Sequence, residues 1–139
     1  MADAHEAFVR RFRAAWRNPS PDALNALLHP DVRLEQPLTP PVVGRDQAGR
    51  YWSRVLGVMP DARAEVLEWA ARGDLVFIRF RMSATLGRRP VDWIVTDRVR
   101  LEDGLVKERV ASFDSLPLAL AAVTRPSAWP ALLRAGRRR

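Results

Sequence analysis

The chain has 139 residues, no cysteine and a formal net charge of +7, and 47% of its residues are hydrophobic. This length and composition predict one packed domain, and the lack of cysteine excludes disulfide and thiolate chemistry. No apolar run approaches the roughly 20 residues of a membrane-spanning helix, so we expect a cytoplasmic protein.

Two N-terminal helices are expected to form a hairpin. Asp3 followed by Glu6 indicates a helix start, and apolar residues then recur at helical spacing until about Asn18. Ser20 as N-cap and Pro21 as the first helical residue predict a short second helix. We expect that helix to end at His29-Pro30.

A short strand and a third helix follow. Residues 32–36 form the predicted strand, and three prolines among residues 37–41 are expected to keep the next loop out of both helix and sheet. The apolar spacing from Asp46 to about Val58 predicts the third helix, with Tyr51 and Trp52 on its apolar face.

The rest of the body, up to Asp114, is predicted to be an antiparallel sheet. Turn signals at 72–74, 87–90 and 103–104 separate four strands near 62–72, 75–87, 91–102 and 105–114. Because these strands exceed the usual five or six residues, the sheet should curve around a core. Alternate residues from Val76 to Ala84 should form its concave face.

Asp97 interrupts the apolar face of the strand at 91–102. A carboxylate on such a face must be protonated, paired or in contact with a wet cavity, because an unpaired buried charge is costly. Its partner depends on the turn at Asp103-Gly104. A two-residue turn would set Asp97 opposite Val110, whereas a three-residue turn would set it opposite Arg109.

We prefer the three-residue turn because every facing pair is then chemically compatible, including Arg98 with Glu108. It predicts an ion pair between Asp97 and Arg109, in which the arginine lowers the pKa of the carboxyl group and keeps it ionised at neutral pH. A salt bridge that only fixes the sheet would account for the same pair.

Aromatic residues are the candidates for a pocket wall, although core packing alone would explain most of them. These candidates are Phe12, Trp16, Tyr51, Trp52, Phe80, Trp93 and Phe113. Gln36 could supply a polar group at the pocket mouth. His5 and His29 have no second ligand at metal-binding spacing, and no phosphate-binding glycine loop is present, so we expect neither a metal nor an organic cofactor.

The C-terminus carries much of the positive charge. The last fifteen residues contain no acid and five arginines, namely Arg125, Arg134, Arg137, Arg138 and Arg139. We assign residues 1–123 to the domain and 124–139 to a basic helical tail, and no nucleic-acid partner is expected, since no basic stripe with interleaved aromatic residues accompanies it. Trp129, Leu132 and Leu133 either cap the domain or a dimer edge, or bind a partner protein or an anionic membrane surface.

The order of the predicted elements resembles the nuclear transport factor 2-like superfamily, and within it the SnoaL-like group, over about residues 4 to 116. The resemblance lies in Leu27-Leu28-His29-Pro30-Asp31-Val32, Gln36-Pro37, Gly44-Arg45, Tyr51-Trp52 and Asp103-Gly104-Leu105-Val106. It implies a cystatin-like α+β fold, in which a cone-shaped antiparallel sheet and three N-terminal helices enclose a pocket. It also implies a homodimer through the sheet.

The resemblance constrains the chemistry residue by residue. Matching ketosteroid isomerase puts Gln36 at the base and Phe12 at the tyrosine donor, so only Asp97 retains a functional group of that enzyme and its mechanism is not expected. The Asp, Arg, Asp set of limonene epoxide hydrolase would fall at Phe80, Met82 and Ala111, and none of these residues matches. A SnoaL-type cyclase needs one acid-base residue in an apolar cavity, which Asp97 could supply.

We therefore interpret the chain as a SnoaL-like pocket protein for a hydrophobic metabolite. If it is an enzyme, it is expected to be an isomerase, cyclase or hydrolase with Asp97 as the acid-base group and Arg109 as its orienting partner or an anion ligand. Two alternatives stay open: a non-catalytic ligand-binding or dimeric scaffold protein of the same fold, and a protein that acts through its tail.

Overall fold

The computed structural model describes residues 2–124, 127 and 129–137. Five helices and six strands account for most of them, in an order that begins with two helices and ends with two. They are α1 (Ala2–Arg17), α2 (Pro21–Asn25), β1 (Leu28–Gln36), β2 (Thr39–Val43), α3 (Gly44–Val58), β3 (Arg63–Arg72), β4 (Leu75–Leu86), β5 (Arg89–Glu102), β6 (Leu105–Phe113), α4 (Leu116–Thr124) and α5 (Trp129–Arg137).

The six strands form one curved, unclosed sheet in the order β2-β1-β6-β5-β4-β3. The predicted α+β fold with helices over a concave sheet is confirmed, and the inner residues of β4 from Val76 to Ala84 are buried as expected. One detail differs from the prediction, because β1 and β6 run parallel while every other neighbouring pair is antiparallel.

Helix α1 packs its apolar stripe onto the concave face and buries Phe8, Phe12 and Trp16. Its first turn is fixed to the β3–β4 turn, where His5 Nε2 donates to the Gly73 carbonyl at 2.7 Å. The start of α2 is as predicted, since Ser20 Oγ accepts from the backbone N–H of Ala23 at 3.0 Å. Its end is not as predicted: α2 ends at Asn25, and β1 begins at Leu28. His29-Pro30 therefore lies within a strand.

The prediction that the prolines after residue 36 exclude sheet structure was wrong. Residues 39–43 form β2, which pairs with β1 through Gln36 and Thr39 across a two-residue turn. Pro37 begins the turn, and Leu38 adopts a positive φ of 74°. The other two prolines are tolerated because β2 is an edge strand and the β1–β2 ladder is irregular opposite them.

The β5–β6 hairpin follows neither of the two predicted registers. Asp103 and Gly104, both with positive φ, form a two-residue turn that pairs Glu102 with Leu105. Beyond it, Arg100 pairs with Glu108, so Lys107 is an extra residue that forms a β-bulge. The bulge returns Arg109 to the same face as Asp97. It does not place them opposite each other, because Asp97 pairs with Ala111.

The C-terminal helices lie beside the domain. Leu132 of α5 packs against Leu86 together with Val58 and Met59, and Trp129 Nε1 donates to the Ala122 carbonyl of α4 at 2.6 Å. Several apolar side chains of these helices are exposed, namely Leu116, Leu120, Val123, Trp129 and Leu133. No helix in the described part of the chain is long and apolar enough to span a membrane.

Candidate functional site

Asp97 lies on the inner face of β5 with only 2% of its surface exposed. It borders a cavity of about 30 Å³, which has room for water-sized molecules only. Arg109 and Trp52 also line this cavity. The other lining residues are apolar and come from α1, α2, the adjoining loop and the sheet: Phe8, Phe12, Trp16, Leu24, Leu27, Leu28, Leu34, Val99 and Val106.

Burial controls the charge of Asp97. Removing the carboxyl group from water raises its pKa from 3.8 to about 6, and the positive charge of Arg109 acts in the opposite direction but is the smaller effect. Arg109 lowers the pKa in the predicted direction, but the predicted net lowering was wrong, because burial outweighs the effect of the arginine. At neutral pH the group remains mostly ionised, and it takes up a proton just below neutrality.

Arg109 has other partners than the predicted one. Its Nη2 donates to Gln36 Oε1 at 2.7 Å, and its guanidinium carbon lies 5.6 Å from the centroid of the Trp52 ring. It makes no direct ion pair with Asp97, so the two charges interact through space. Gln36 is held by bonds from its Nε2 to Thr39 Oγ1 at 2.7 Å and to the Pro40 carbonyl at 2.9 Å.

Three polar atoms around the cavity are buried without a hydrogen-bond partner among the described residues. They are Asp97 Oδ1, Arg109 Nε and Trp52 Nε1. Buried polar atoms in native proteins are nearly always paired, so an unpaired acceptor beside two unpaired donors is unusual. Asp97 Oδ1 can accept a hydrogen bond from a small group such as a hydroxyl, and Arg109 Nε and Trp52 Nε1 can each donate one to an oxygen atom.

The aromatic candidates separate into three groups. Phe12, Trp16 and Trp52 line the cavity at Asp97, where the two indole rings meet edge to face at 5.8 Å. Phe80 lies behind them, with its ring centroid 5.3 Å from that of Phe12. These four rings form one contiguous aromatic cluster, and three of them border the cavity at Asp97.

Trp93 and Phe113 are half-buried and pack against the core, but they do not line this cavity. Tyr51 lies further out. Its ring touches that of Trp52, and it lines a separate groove on the outer side of α3.

The α2 segment was missed as part of the site. Leu24, Leu27 and Leu28 are buried there and border the cavity at Asp97, which the sequence did not indicate. No local sequence pattern could have shown this, because the segment reaches the site through the parallel pairing of Leu28 with Val106 in β6. Within the described residues no three His, Asp or Glu side chains are grouped as in a metal site.

Comparisons with known proteins agree with this fold. The SnoaL-like domain model matches residues 9–109. One similar solved structure is a candidate SnoaL-like polyketide cyclase from Jannaschia sp. CCS1, with 20% identity and a TM-score of 0.78 over 89% of this chain and 94% of that chain. A second is TerC co-crystallised with polyporic acid, with 18% identity and a TM-score of 0.75 over 84% of this chain and 95% of that chain. A third is a hypothetical protein with a ketosteroid isomerase-like fold from Catenulispora acidiphila DSM 44928 in complex with trimethylamine, with 20% identity and a TM-score of 0.75 over 88% of this chain and 95% of that chain.

At these identities the structural likenesses show the fold alone. No functionally curated protein matches the sequence. The domain model spans well over half of the 139 residues. The chain therefore belongs to the SnoaL-like domain family.

Proposed function

We propose that this protein binds a hydrophobic small molecule on the concave side of its sheet and acts on it through Asp97 as the acid-base group, as an isomerase or a cyclase. The observation that carries the proposal is the Asp97 carboxylate, which is fully buried at an apolar cavity with Oδ1 unpaired. Carboxylates in such surroundings are typical of acid-base sites.

The proposed chemistry needs one proton carrier and one cation. Isomerisation and aldol-type cyclisation both begin when a base removes a proton from a carbon next to a carbonyl group. Asp97 Oδ1 would take that proton as the C–H bond breaks. The guanidinium of Arg109 would stabilise the negative charge on the enolate oxygen. Asp97 would then return the proton to another carbon or to the alkoxide formed by ring closure.

A pKa of about 6 suits both halves of this cycle, because the carboxylate is ionised at neutral pH and its conjugate acid still releases a proton readily. The similarity to TerC, co-crystallised with polyporic acid, supports a small organic ligand.

Substrate access requires movement of the aromatic wall. Cavities that hold organic ligands usually have several hundred cubic ångströms, against about 30 Å³ beside Asp97. Trp16 and Trp52 are the residues that have to move, since they stand edge to face over the cavity. We therefore assign them the role of a gate as well as a wall.

The test is proton abstraction from 5-nitrobenzisoxazole, a small apolar probe whose ring opens to a coloured cyanophenolate when a carboxylate removes its C–H proton. Turnover is measured against pH in the native protein and in Trp52→Phe, which widens the cavity. We expect Asp97→Asn to lower the rate about a hundredfold in the active background, and the rate to rise with an apparent pKa near 6.

Asp92→Asn is the matched control, because Asp92 is on the exposed face of the same strand. It should leave turnover unchanged. Circular dichroism establishes that each variant is folded. If no turnover in either background depends on Asp97, the acid-base assignment is wrong.

The second candidate is a non-catalytic ligand-binding or scaffold protein of the same fold. It is favoured by the close packing of Phe12, Trp16, Trp52 and Phe80, which leaves little space beside the carboxylate. On this hypothesis Asp97→Asn changes stability and leaves proton transfer to the probe at the background rate.

A further inference from the structure

A second, larger cavity lies on the outer side of α3. This outer groove has a volume of about 650 Å³ and shares no lining residue with the cavity at Asp97. Its walls are the β1–β2 turn, one face of α3 and the C-terminal helices. The described lining residues include Leu38, Arg50, Arg54, Leu118, Ala119 and Leu132.

The outer groove is apolar with two cationic groups on one side. Arg50 and Arg54, one helical turn apart on α3, both line it, and none of its described lining residues is acidic. Neither guanidinium group forms a salt bridge or a hydrogen bond with any other residue in the described part of the chain. The arginines of the sheet differ, since Arg98 is paired with Glu108 at 2.9 Å and Arg100 with Asp74 at 2.8 Å.

The turn beside these arginines exposes a large apolar side chain. Leu38 is 67% exposed in a backbone conformation that leucine rarely adopts, and it forms part of the groove wall. On the opposite wall, Leu118 and Leu132 supply apolar surface from α4 and α5. An occupant would thus contact apolar side chains on two sides and guanidinium groups on a third.

We propose that the outer groove binds a small apolar carboxylate, with its hydrocarbon part between the β1–β2 turn and the C-terminal helices and its carboxylate on Arg50 and Arg54. The volume is that of small-molecule sites, which usually have about 300–1,000 Å³. Guanidinium groups match the two oxygens of a carboxylate in paired hydrogen bonds. This binding site is separate from the function proposed for Asp97 and does not depend on it.

The experiment compares two fluorescent probes that differ only in charge, pyrenebutyrate and pyrenebutanol, by fluorescence anisotropy at pH 7 and low salt. We expect the native protein to bind the anion at least tenfold more tightly. The double variant Arg50→Gln/Arg54→Gln should weaken pyrenebutyrate binding about tenfold and change pyrenebutanol binding less than twofold.

Two further variants separate charge from shape. Ala119→Trp places an indole ring in the outer groove and should weaken both probes at least tenfold. Arg10→Gln/Arg13→Gln removes two exposed arginines from α1 and should leave both affinities unchanged.

Four outcomes would overturn the proposal. In the first, the two probes bind the native protein equally tightly. In the second, pyrenebutyrate binding survives Arg50→Gln/Arg54→Gln. In the third, pyrenebutyrate binding is strengthened by Trp52→Phe, which widens the cavity at Asp97, and is retained in Ala119→Trp, which would assign the binding to that cavity. Binding to phosphatidylglycerol vesicles without binding of the free probe would indicate a membrane surface as the partner of this region instead.

Discussion

Asp97 places a carboxylate where the fold offers it little solvation. Val95 and Val99 flank it along β5, and both are buried in the core. Arg109 is close enough to oppose the rise in pKa but does not cancel it. The ionised side chain therefore opposes folding near neutral pH, as expected for a group retained for a purpose other than stability.

Replacing Asp97 by asparagine should stabilise the protein at neutral pH. The pKa of this carboxyl group is ordinarily 3.8 and rises to about 6 in the folded chain. Between these two pH values the group is therefore ionised in the unfolded chain but still protonated in the folded chain. Stability contributed by the protonated group is complete below pH 4 and is lost as pH rises through 6. By linkage, this loss amounts to about 3 kcal/mol.

The measurement is urea unfolding of the native protein and of Asp97→Asn from pH 4 to pH 8. The difference in unfolding free energy should be near zero at pH 4, grow to pH 6 and then level off. A difference that is constant across this range would contradict the assigned burial. Asp92→Asn, on the exposed face of β5, should show no such growth.

At this scale the sequence predicted which face Asp97 occupies but not its surroundings. The alternation of apolar and polar residues along 91–101 was enough to predict which face of the sheet Asp97 occupies, because successive side chains in a strand point to opposite faces. The pKa depends first on burial and second on the position of Arg109, which is set by a one-residue irregularity in the next strand. The chemical compatibility of facing residues does not by itself show where such a bulge lies.

Among the elements, the β5–β6 hairpin shows how a turn and a bulge act together. The two-residue turn alone would have put Arg109 on the outer face, and the extra residue Lys107 reverses this. The sequence argued against the two-residue turn because, without a bulge, that turn would place polar residues of one strand opposite apolar residues of the other. The turn is nevertheless present, and beyond the bulge Val95 faces Phe113 and Arg100 faces Glu108.

The turn itself can be tested with a matched pair of substitutions. Gly104→Ala should lower the unfolding free energy by about 1 kcal/mol, because Gly104 has a φ of 75° that alanine adopts with strain. The space is sufficient, with the nearest atom 3.5 Å from the added carbon. Gly57→Ala adds the same carbon in the exposed part of α3, where nothing lies within 4 Å, and should raise the unfolding free energy by up to about 1 kcal/mol.

Denaturant unfolding of both variants is the measurement. Equal effects of the two substitutions would contradict the left-handed conformation at Gly104, since the atoms added are identical.

Long periodic elements were predicted well and irregular ones were not. The four long strands and α1 lie close to their expected bounds, because each has a pattern of more than two repeats. β2 was missed because Pro40 and Pro41 are strong signals against a strand, and that signal does not hold at a sheet edge. The placement of α4 and α5 beside α3 depends on tertiary contacts such as Leu132 with Leu86, which no local pattern encodes.

For the whole molecule, the division into a domain at 1–123 and a tail at 124–139 stays a prediction. We expect a chain ending at residue 125 to fold cooperatively, because no described residue beyond Phe113 belongs to the main core cluster. It should lose pyrenebutyrate binding, since the outer groove loses Leu132 and the support of α5.

Thermal unfolding and the anisotropy titration check this directly. A truncated chain that fails to fold would show that α5 belongs to the domain. A truncated chain that keeps full affinity for pyrenebutyrate would show that α5 contributes nothing to the outer groove.

The unclosed sheet leaves two edge strands, β2 and β3, which could in principle recruit strands from other molecules. Pro40 and Pro41 remove two backbone donors from β2, and β3 carries a bulge between Val66 and Glu68. Both edges are therefore poor templates for strand addition, which protects the protein against fibrillar self-association during folding. Two copies that do associate, as the family resemblance leads us to expect, have to meet through faces or helices rather than by extending the sheet.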